Sequence, residues 1–244
     1  MNKIGILGDI HANLAAFKAI LEKLDQEGCE RLVCTGDIVG YGPCPAECIE
    51  IVRQRNIASV LGNHDHYVTL LMDPRLERLR PEIRKSVEWT QGMLGMNDLK
   101  WLAQLPRKLD LDEFSVVHGS FGPKPWVYLT NEKSLEYNYT HQTVPLAFCG
   151  HSHIPLFSYY RDGMPPFVSY LRSALIPQDT KVMINVGSVG QPRDHDPRAA
   201  AAIYDVEEQS ITSIRVAYDI AETQELMRQH QLPENFINRL ELGR

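Results

Sequence analysis

Five short blocks of the sequence combine glycine with aspartate, asparagine or histidine. In chain order they are Gly8-Asp9-Ile10-His11, Gly36-Asp37-Ile38-Val39-Gly40, Gly62-Asn63-His64-Asp65, Val117-His118-Gly119 and Gly150-His151-Ser152-His153. Carboxylate, amide and imidazole groups without thiolate suit manganese, iron or zinc. Two such ions, about 3.5 to 4 Å apart, activate a shared water as hydroxide for in-line attack on phosphorus. The blocks therefore predict two-metal hydrolysis of a phosphate ester.

The spacing within the blocks favours paired metal ligands. Asp9 and His11 are two residues apart, which in an extended strand end points both side chains to one side, and His151 and His153 repeat that spacing. A carboxylate such as Asp37 can bridge two ions. Each block alone is more typical of a turn or of a hydrogen-bonded structural histidine. Their joint occurrence in this order is what predicts a site.

Together the blocks resemble those of the calcineurin-like metallophosphoesterase superfamily, and the similarity runs from Asp9 to His153. The resemblance implies a first metal held by Asp9, His11, Asp37 and His153, and a second held by Asp37, Asn63, His118 and His151. It implies that Asp37 bridges the two ions. The metals would be manganese, iron or zinc.

The resemblance gives His64 a different role from the metal ligands. It implies that His64 binds the phosphate and protonates the leaving group, while Asp65 orients and charges the ring of His64. Asn63 and Arg193 are the predicted substrate-binding residues.

One departure from the family concerns the phosphate-binding arginine. Ser/Thr protein phosphatases of the superfamily continue the second block as Asp-Arg-Gly, whereas here Gly36-Asp37 runs on through Ile38 to Val39-Gly40-Tyr41-Gly42-Pro43. Residues 185–194, Asn-Val-Gly-Ser-Val-Gly-Gln-Pro-Arg-Asp, resemble the Asn-x-Gly-Ser stretch of small bacterial and archaeal members. Arg193 either reaches a substrate phosphate with its planar guanidinium or pairs with Asp194 or Asp196 on the surface.

Several other side chains near the blocks have two interpretations. Tyr41, Phe121, Trp126 and Tyr128 could stack on a nucleotide base or cover apolar core. His66 and His195 are expected to be solvent-facing loop residues. Cys44 and Cys48 lie one helical turn apart, and helix packing is favoured over a metal site because no second Cys or His pair has zinc spacing.

The elements that must position the blocks alternate in the first third of the chain. Residues 3–7, 31–35 and 57–61 are apolar and predict strands, whereas residues 14–24 and 45–55 have helical periodicity. Strands that alternate with helices predict a parallel sheet. The carboxyl ends of such strands are where ligand sites form, so the blocks should converge there.

The rest of the chain predicts a single domain over residues 1–244 with two additions. Residues 66–106 have a helical pattern and predict an insertion, and residues 155–178 predict a hairpin or a mobile flap. Strands are expected at 114–117, 146–149, 182–186, 200–205 and 211–216, mainly antiparallel, and helices at 221–242. The family resemblance implies an α/β fold, a four-layer α-β-β-α sandwich of two mixed sheets flanked by helices.

Composition excludes some classes of partner. The net charge of −6 over 244 residues gives no basic field for nucleic acid, so no obligate nucleic-acid partner is expected. No stretch approaches the roughly 20 apolar residues that cross a bilayer, and the N-terminus lacks a signal-peptide pattern, so no membrane association is expected. The five cysteines are odd in number and not densely spaced, which indicates reduced thiols and a cytoplasmic location.

The predicted function is hydrolysis of a phosphodiester, a phosphomonoester or a dinucleoside polyphosphate by a metal-bridging hydroxide, with a small phosphorylated substrate as partner. The family resemblance makes a Ser/Thr protein phosphatase the first alternative. A non-catalytic scaffold is a second alternative, because a retromer subunit has this fold without the catalytic histidine. The presence of His64 argues against the scaffold.

Overall fold

Two mixed sheets of six strands each form the centre of the computed structural model, which describes residues 2–244. The strands are β1 (Lys3–Leu7), β2 (Arg31–Cys34), β3 (Ala58–Ser59), β4 (Lys108–Asp110), β5 (Ser115–Val117), β6 (Leu146–Cys149), β7 (Pro155–Tyr160), β8 (Phe167–Tyr170), β9 (Ser173–Leu175), β10 (Lys181–Val186), β11 (Ala199–Asp205) and β12 (Ser210–Val216). The first sheet has the order β3-β2-β1-β11-β12-β9, and the second has the order β4-β5-β6-β10-β7-β8.

Helices cover the outer faces of both sheets. They are α1 (Leu14–Gln26), α2 (Pro45–Gln54), α3 (Asn63–Thr69), α4 (Pro81–Met93), α5 (Met96–Ala103), α6 (Glu132–His141), α7 (Ile220–Gln229) and α8 (Glu234–Leu242), with a 3-10 helix at Pro74–Arg78. The two mixed sheets between helical layers confirm the predicted four-layer α/β sandwich.

Alternation along the strands explains why the layers form. In β1, Ile4 and Ile6 face the second sheet and pack with Phe148 and Ile184, because successive strand side chains point to opposite faces. Leu7 lies on the other face and packs with Phe17 of α1. On the far side, α6 covers the second sheet through Leu135 and Tyr139. Apolar burial of this kind is the main force that holds such layers together.

Strand direction follows the prediction in both parts of the chain, with one parallel group in the second half. β1, β2 and β3 are parallel, as expected, and β11 joins β1 antiparallel. The second half is mainly antiparallel, as expected, with β4·β5, β7·β8, β7·β10, β9·β12 and β11·β12 all antiparallel. The exceptions are β5, β6 and β10, which are parallel neighbours. Helix α6 connects β5 to β6, and such a crossover allows parallel pairing.

The third strand is shorter than predicted. Ala58 and Ser59 pair with β2, and the N–H of Val60 still donates to the carbonyl of Cys34 at 3.2 Å. The N–H of Leu61 instead donates to the carbonyl of Pro106 at 2.7 Å. The chain therefore leaves the sheet before Gly62 and begins α3 at Asn63. Three side chains of the third block, those of Asn63, His64 and Asp65, consequently lie in the first turn of a helix.

The remaining segments lie at the margins of the sandwich. α3 packs against α4 and α5 within the predicted helical insertion. β7 and β8 form an antiparallel hairpin in the second sheet, while β9 pairs with β12 in the first. Residues 155–178 thus contribute to both sheets, and their movement as a flap stays a prediction. Within residues 2–244, none of the helices combines the length and apolar character needed to cross a bilayer.

Candidate metal centre

The five sequence blocks meet at one edge of the sandwich. Each follows a strand of a parallel group, with Asp9 after β1, Asp37 after β2, His118 after β5 and His151 after β6. The carboxyl ends of these strands lie at the same side, where α/β sheets gather ligand sites. The side chains of Asp9, Asp37, His118 and the other predicted ligands are all buried there.

One group of potential ligands consists of Asp9, His11 and His153, whose donor atoms lie within 4.8 Å of one another. Nε2 of His11 is 3.0 Å from Nε2 of His153. Nε2 of His153 is 3.2 Å from Oδ1 of Asp9. Three donors that converge on a small volume can hold a metal ion.

A second group consists of Asp37, His118 and His151. Nε2 of His118 is 3.2 Å from Oδ2 of Asp37 and 3.1 Å from Oδ1 of Asn63. The same Oδ2 atom of Asp37 lies 3.7 Å from Nε2 of His11, which belongs to the first group. Asp37 therefore stands between the two groups, in the position of a bridging carboxylate.

Hydrogen bonds to backbone carbonyls fix which nitrogen of each ring faces the centre. Nδ1 of His118 pairs with the carbonyl of Thr35 at 2.8 Å, and Nδ1 of His153 pairs with that of Gln191 at 2.6 Å. His11 does the same with Val39 at 3.3 Å. A carbonyl accepts only from an N–H, so Nδ1 of each ring carries a proton and Nε2 is the nitrogen that faces the centre.

In His151 the roles of the two ring nitrogens are reversed. Its Nε2 pairs with the carbonyl of Trp126 at 3.1 Å, which leaves Nδ1 for the centre. The ring of Tyr128 stacks on it, with centroids 4.2 Å apart. Both contacts hold the His151 ring in one orientation, which a metal ligand requires.

Burial keeps most of the imidazoles neutral. It lowers the pKa of His11 and His153 well below the usual range, and it lowers the pKa of His151 to about 3, with neighbouring His118 adding to the effect. A neutral imidazole is the form that binds a metal ion.

His118 and Asp37 form a charged pair instead. Burial alone would lower the pKa of His118, but the Asp37 carboxylate raises it to about 9. Burial would likewise raise the pKa of Asp37, but His118 and His64 hold it well below its usual range. Positive charge is therefore stabilised beside Asp37. A divalent cation supplies positive charge at the same place, so this set of donor atoms fits metal ions.

The backbone at the centre is held in an uncommon conformation. Asp9, His11, Asp37, His151 and His153 all have positive φ, between 49° and 69°. Side-chain-bearing residues rarely adopt this left-handed region, and when such residues cluster they mark functional sites. The same local geometry turns the chain sharply at the end of each strand.

Two glycines permit the close approach of neighbouring blocks. A Cβ on Gly62 would lie 2.0 Å from Oδ1 of Asp37, and one on Gly40 would lie 2.8 Å from Nδ1 of His64. Gly40 also has a φ of +91°. A side chain at either position would push a block out of place.

His64 lies beside the two groups but is oriented differently from the expectation. Its ring contacts those of His11 and Tyr41, with centroids 5.0 and 4.3 Å apart, and its backbone N–H donates to Oδ1 of Asp37 at 2.8 Å. Nδ1 of His64 has no hydrogen-bond partner among residues 2–244. Burial lowers the pKa of His64 to about 4.

Asp65 does not orient the ring of His64 as the family resemblance implied. Its carboxylate accepts the N–H of Val39 at 3.1 Å and that of Gly62 at 3.0 Å. Adjacent helix residues point in different directions, which is why the two side chains diverge. Burial and the nearby Asp37 carboxylate raise the pKa of Asp65 to about 7. Asp65 thus fixes the second and third blocks against each other.

The structure excludes one of the two interpretations of Arg193. Asp194 pairs with Arg215, and Asp196 pairs with Arg198 at 2.6 Å. Arg193 instead donates to Oε1 of Gln191 at 2.8 Å, and its guanidinium carbon lies 5.9 Å from the Tyr41 ring centroid. The surface pairing is therefore wrong, and Arg193 lies at the rim of the centre.

The residues 185–194 segment has structural contacts that no single motif predicted. Ser188 donates its hydroxyl to the carbonyl of Asp9 at 2.8 Å. Asn185 donates to the carbonyl of Gly150 and to Oγ of Ser152, the latter at 3.0 Å. The Asn-x-Gly-Ser resemblance drew attention to this segment but did not predict its contacts. These contacts connect the first block, at Asp9, with the last block, at Gly150 and Ser152.

The aromatic side chains divide between the two interpretations. Tyr41 is 5% exposed and packs on Phe236 of α8, and Phe121 packs in the core beside α6. Trp126 contacts His118 edge-on. Tyr128 is 49% exposed and remains accessible to a ligand. Among the histidines outside the site, His195 is exposed and His66 is half-buried.

Comparison with known proteins reveals similarity over the whole chain. The calcineurin-like phosphoesterase superfamily domain matches residues 2–209. A crystal structure of a metallophosphoesterase from Sphaerobacter thermophilus is 38% identical and covers 100% of this chain and 99% of its own, with a TM-score of 0.85.

Two sequence relatives differ in the length over which they match this chain. The uncharacterized protein MJ0912 of Methanocaldococcus jannaschii is 35% identical over 99% of this chain and 98% of its own. The symmetrical bis(5'-nucleosyl)-tetraphosphatase of Haemophilus ducreyi is 26% identical, and its match covers 49% of this chain and 45% of that enzyme. The similarity to the tetraphosphatase thus concerns about half of each protein.

Proposed function

Since the chain belongs to the calcineurin-like phosphoesterase superfamily and is a phosphoesterase, we propose that it hydrolyses small phosphate esters at a centre of two metal ions. The observation that carries the proposal is the position of Asp37, whose Oδ2 lies 3.2 Å from His118 in one ligand group and 3.7 Å from His11 in the other. A single carboxylate shared by two groups is typical of two-metal phosphoryl chemistry.

The proposed ligands are those of the two groups, with Asn63 added to the second. Asp9, His11, Asp37 and His153 would hold one ion, and Asp37, Asn63, His118 and His151 the other. The oxygen and imidazole donors fit Mn, Fe or Zn. When bound, such ions polarise a phosphoryl oxygen and make a water acidic enough to supply the nucleophile.

The chain's own residues position the substrate around that centre. His64 presents an imidazole beside both groups, and its N–H can donate to a phosphoryl or leaving-group oxygen. An anionic phosphoryl group next to the ring favours its protonated form, which is the form that protonates a leaving group. Arg193 offers a planar guanidinium to the same phosphoryl group from the rim.

The substrates that the site supports best are phosphodiesters, phosphomonoesters and dinucleoside polyphosphates. The partial match to bis(5'-nucleosyl)-tetraphosphatases supports the last class. Protein phosphatase activity is less well supported, because the second block of this chain lacks the arginine of the Asp-Arg-Gly continuation.

The test uses full-length protein loaded with Mn²⁺. We expect turnover of bis(p-nitrophenyl) phosphate, p-nitrophenyl phosphate or diadenosine tetraphosphate, with loss on chelation and recovery on adding Mn²⁺ back. His64→Ala should reduce kcat by about 10²-fold or more, because a positioned proton donor contributes that much. His66→Ala, on the same helix, is the matched control and should retain full activity.

Two outcomes would redirect the proposal. Absence of turnover on all three substrates with both sites loaded, as measured by elemental analysis, would refute it. Release of phosphate from phosphopeptides alone would favour the protein phosphatase alternative.

A further inference from the structure

Arg193 and Arg239 are distinctive among the arginines of the chain. Within residues 2–244, they are the two arginines that are neither exposed nor within 4.0 Å of a carboxylate. Arg215 is the other arginine that is not exposed, and it pairs with Asp194. Exposed arginines need no partner because water solvates them, whereas partly buried charges are normally paired.

The two guanidiniums converge on one neutral oxygen. Oε1 of Gln191 accepts from Arg193 at 2.8 Å and lies 3.4 Å from a terminal nitrogen of Arg239. Gln191 is 1% exposed, and its Nε2 has no hydrogen-bond partner among residues 2–244. Nε of Arg193 is also buried without a partner in that range. One amide oxygen does not balance two positive charges, so the pair has unused donors and excess charge.

The electrostatics of the two arginines favour a negatively charged ligand beside them. Burial lowers the pKa of Arg239, and the positive charge of Arg193 lowers it further. Like charges held this close are costly unless an anion lies between or beside them. The cluster is therefore prepared for a negatively charged ligand.

The pair of arginines lies next to the metal centre. The backbone N–H of Arg193 donates to the carbonyl of His153 at 3.2 Å, so Arg193 adjoins the first ligand group. Arg239 extends from α8 and packs over the ring of Phe236, 5.5 Å from its centroid. Phe236 contacts Tyr41, which in turn contacts His64. Two aromatic rings, those of Phe236 and Tyr41, thus connect Arg239 to His64 beside the metal centre.

We propose that Arg239, acting with Arg193, forms a subsite for a second phosphoryl group of the substrate, next to the one that is cleaved. This inference rests on the proposed function and specifies its substrate class as compounds with two or more linked phosphoryl groups. Arg193 contacts the phosphoryl group at the metals, and Arg239 contacts its neighbour along the polyphosphate. Guanidinium forks suit this role because they bind phosphate with two parallel hydrogen bonds.

The kinetic test compares substrates with and without a second phosphoryl group. In Arg239→Gln, the ratio of kcat/KM for diadenosine tetraphosphate to kcat/KM for p-nitrophenyl phosphate should fall about tenfold or more, mainly through KM, because a lost charge-assisted contact to phosphate is worth that much. Arg239→Lys should recover part of the loss, since it keeps the charge without the fork. Arg228→Gln on neighbouring α7 removes one exposed charge and should leave the ratio unchanged.

A binding measurement separates this inference from the proposed function. Pyrophosphate should bind chelator-dialysed, full-length protein more tightly than orthophosphate by calorimetry, and Arg239→Gln should weaken pyrophosphate binding about tenfold. Circular dichroism confirms that each variant is folded. If Arg239→Gln leaves both the kinetic ratio and pyrophosphate binding unchanged, the subsite is wrong. If pyrophosphate binding depends on Arg239 while no substrate is hydrolysed, the subsite stands and the proposed function fails.

Discussion

The floor and the rim of the site are held in place by different parts of the chain. The floor, defined as the seven proposed metal ligands, lies at the ends of strands and in the first turn of α3. The rim, defined as Tyr41, Tyr128, Arg193 and Arg239, comes from loops and from α8. Floor side chains are buried, with the imidazoles fixed by backbone carbonyls and Asp9 and Asp37 by backbone N–H groups, whereas Arg193 and Arg239 share a single amide oxygen. This difference separates the proposed reaction centre from the surface that is proposed to select the substrate.

The largest effect is expected at the floor residue that both ligand groups share. Asp37→Asn keeps the shape of the side chain but removes the charge, and Oδ1 and Oδ2 of Asp37 contact His64 and His118. We expect kcat/KM to fall by at least about 10³-fold, since loss of a single electrostatic contact at a transition state already costs 10² to 10³. Bound metal, measured by elemental analysis, should also fall. Retention of both metals with activity within tenfold of wild type would remove Asp37 from the floor.

The second prediction concerns backbone that supports the floor. Gly62→Ala places a Cβ 2.0 Å from Oδ1 of Asp37, so one block must shift. We expect metal affinity or kcat/KM to fall about 10- to 100-fold, as for other changes to groups that orient ligands. Metal titration by calorimetry gives the affinity, and steady-state kinetics give the rate.

The matched control for that substitution is at the other end of the helical insertion. A Cβ on Gly92 of α4 would meet nothing within 4 Å. Gly92→Ala should leave activity unchanged and stabilise the fold by up to about 1 kcal/mol, because alanine is the better helix former. Equal losses of activity in both variants would show that Gly62 has no special role.

Floor and rim also differ in how far the sequence predicts them. The floor residues occur in local blocks behind apolar strands, and strand ends of a parallel sheet must meet, so their convergence follows from the pattern. The four-layer sandwich follows from the same strand-helix alternation together with the family resemblance. Asp65 was misassigned because residue adjacency in sequence does not give adjacency of side chains on a helix.

The rim could not be predicted in the same way. Arg193 and Arg239 meet only because α8 packs on Tyr41, a tertiary contact that no spacing rule encodes. The sequence equally allowed Arg193 to pair with Asp194, and only the position of Arg215 excludes it. The proposed substrate-binding surface therefore depends on contacts between segments that are distant in the chain.

A smaller effect is expected at the rim arginine nearest the metals. Arg193→Lys keeps the positive charge but loses the planar fork and the hydrogen bond to Gln191. We expect kcat/KM to fall about tenfold on every substrate, because the phosphoryl group at the metals is common to all. Steady-state kinetics on the three substrates provide the measurement. A loss restricted to diadenosine tetraphosphate would move Arg193 to the same distal role as Arg239.

The smallest effect is expected where rim and floor touch. Tyr128 stacks on the ring of His151 with an interplanar angle of 15°, and 49% of its surface is exposed. Tyr128→Leu removes the stacked ring, whose contribution of about 0.5 to 1.5 kcal/mol corresponds to roughly a 2- to 10-fold change. We expect calorimetric titration to show weaker binding of one Mn²⁺ only, because His151 belongs to one ligand group. Tyr128→Phe keeps the ring and should bind both ions as wild type does. If Tyr128→Leu instead leaves metal binding intact and raises KM only for nucleotide substrates, Tyr128 serves the substrate and belongs wholly to the rim.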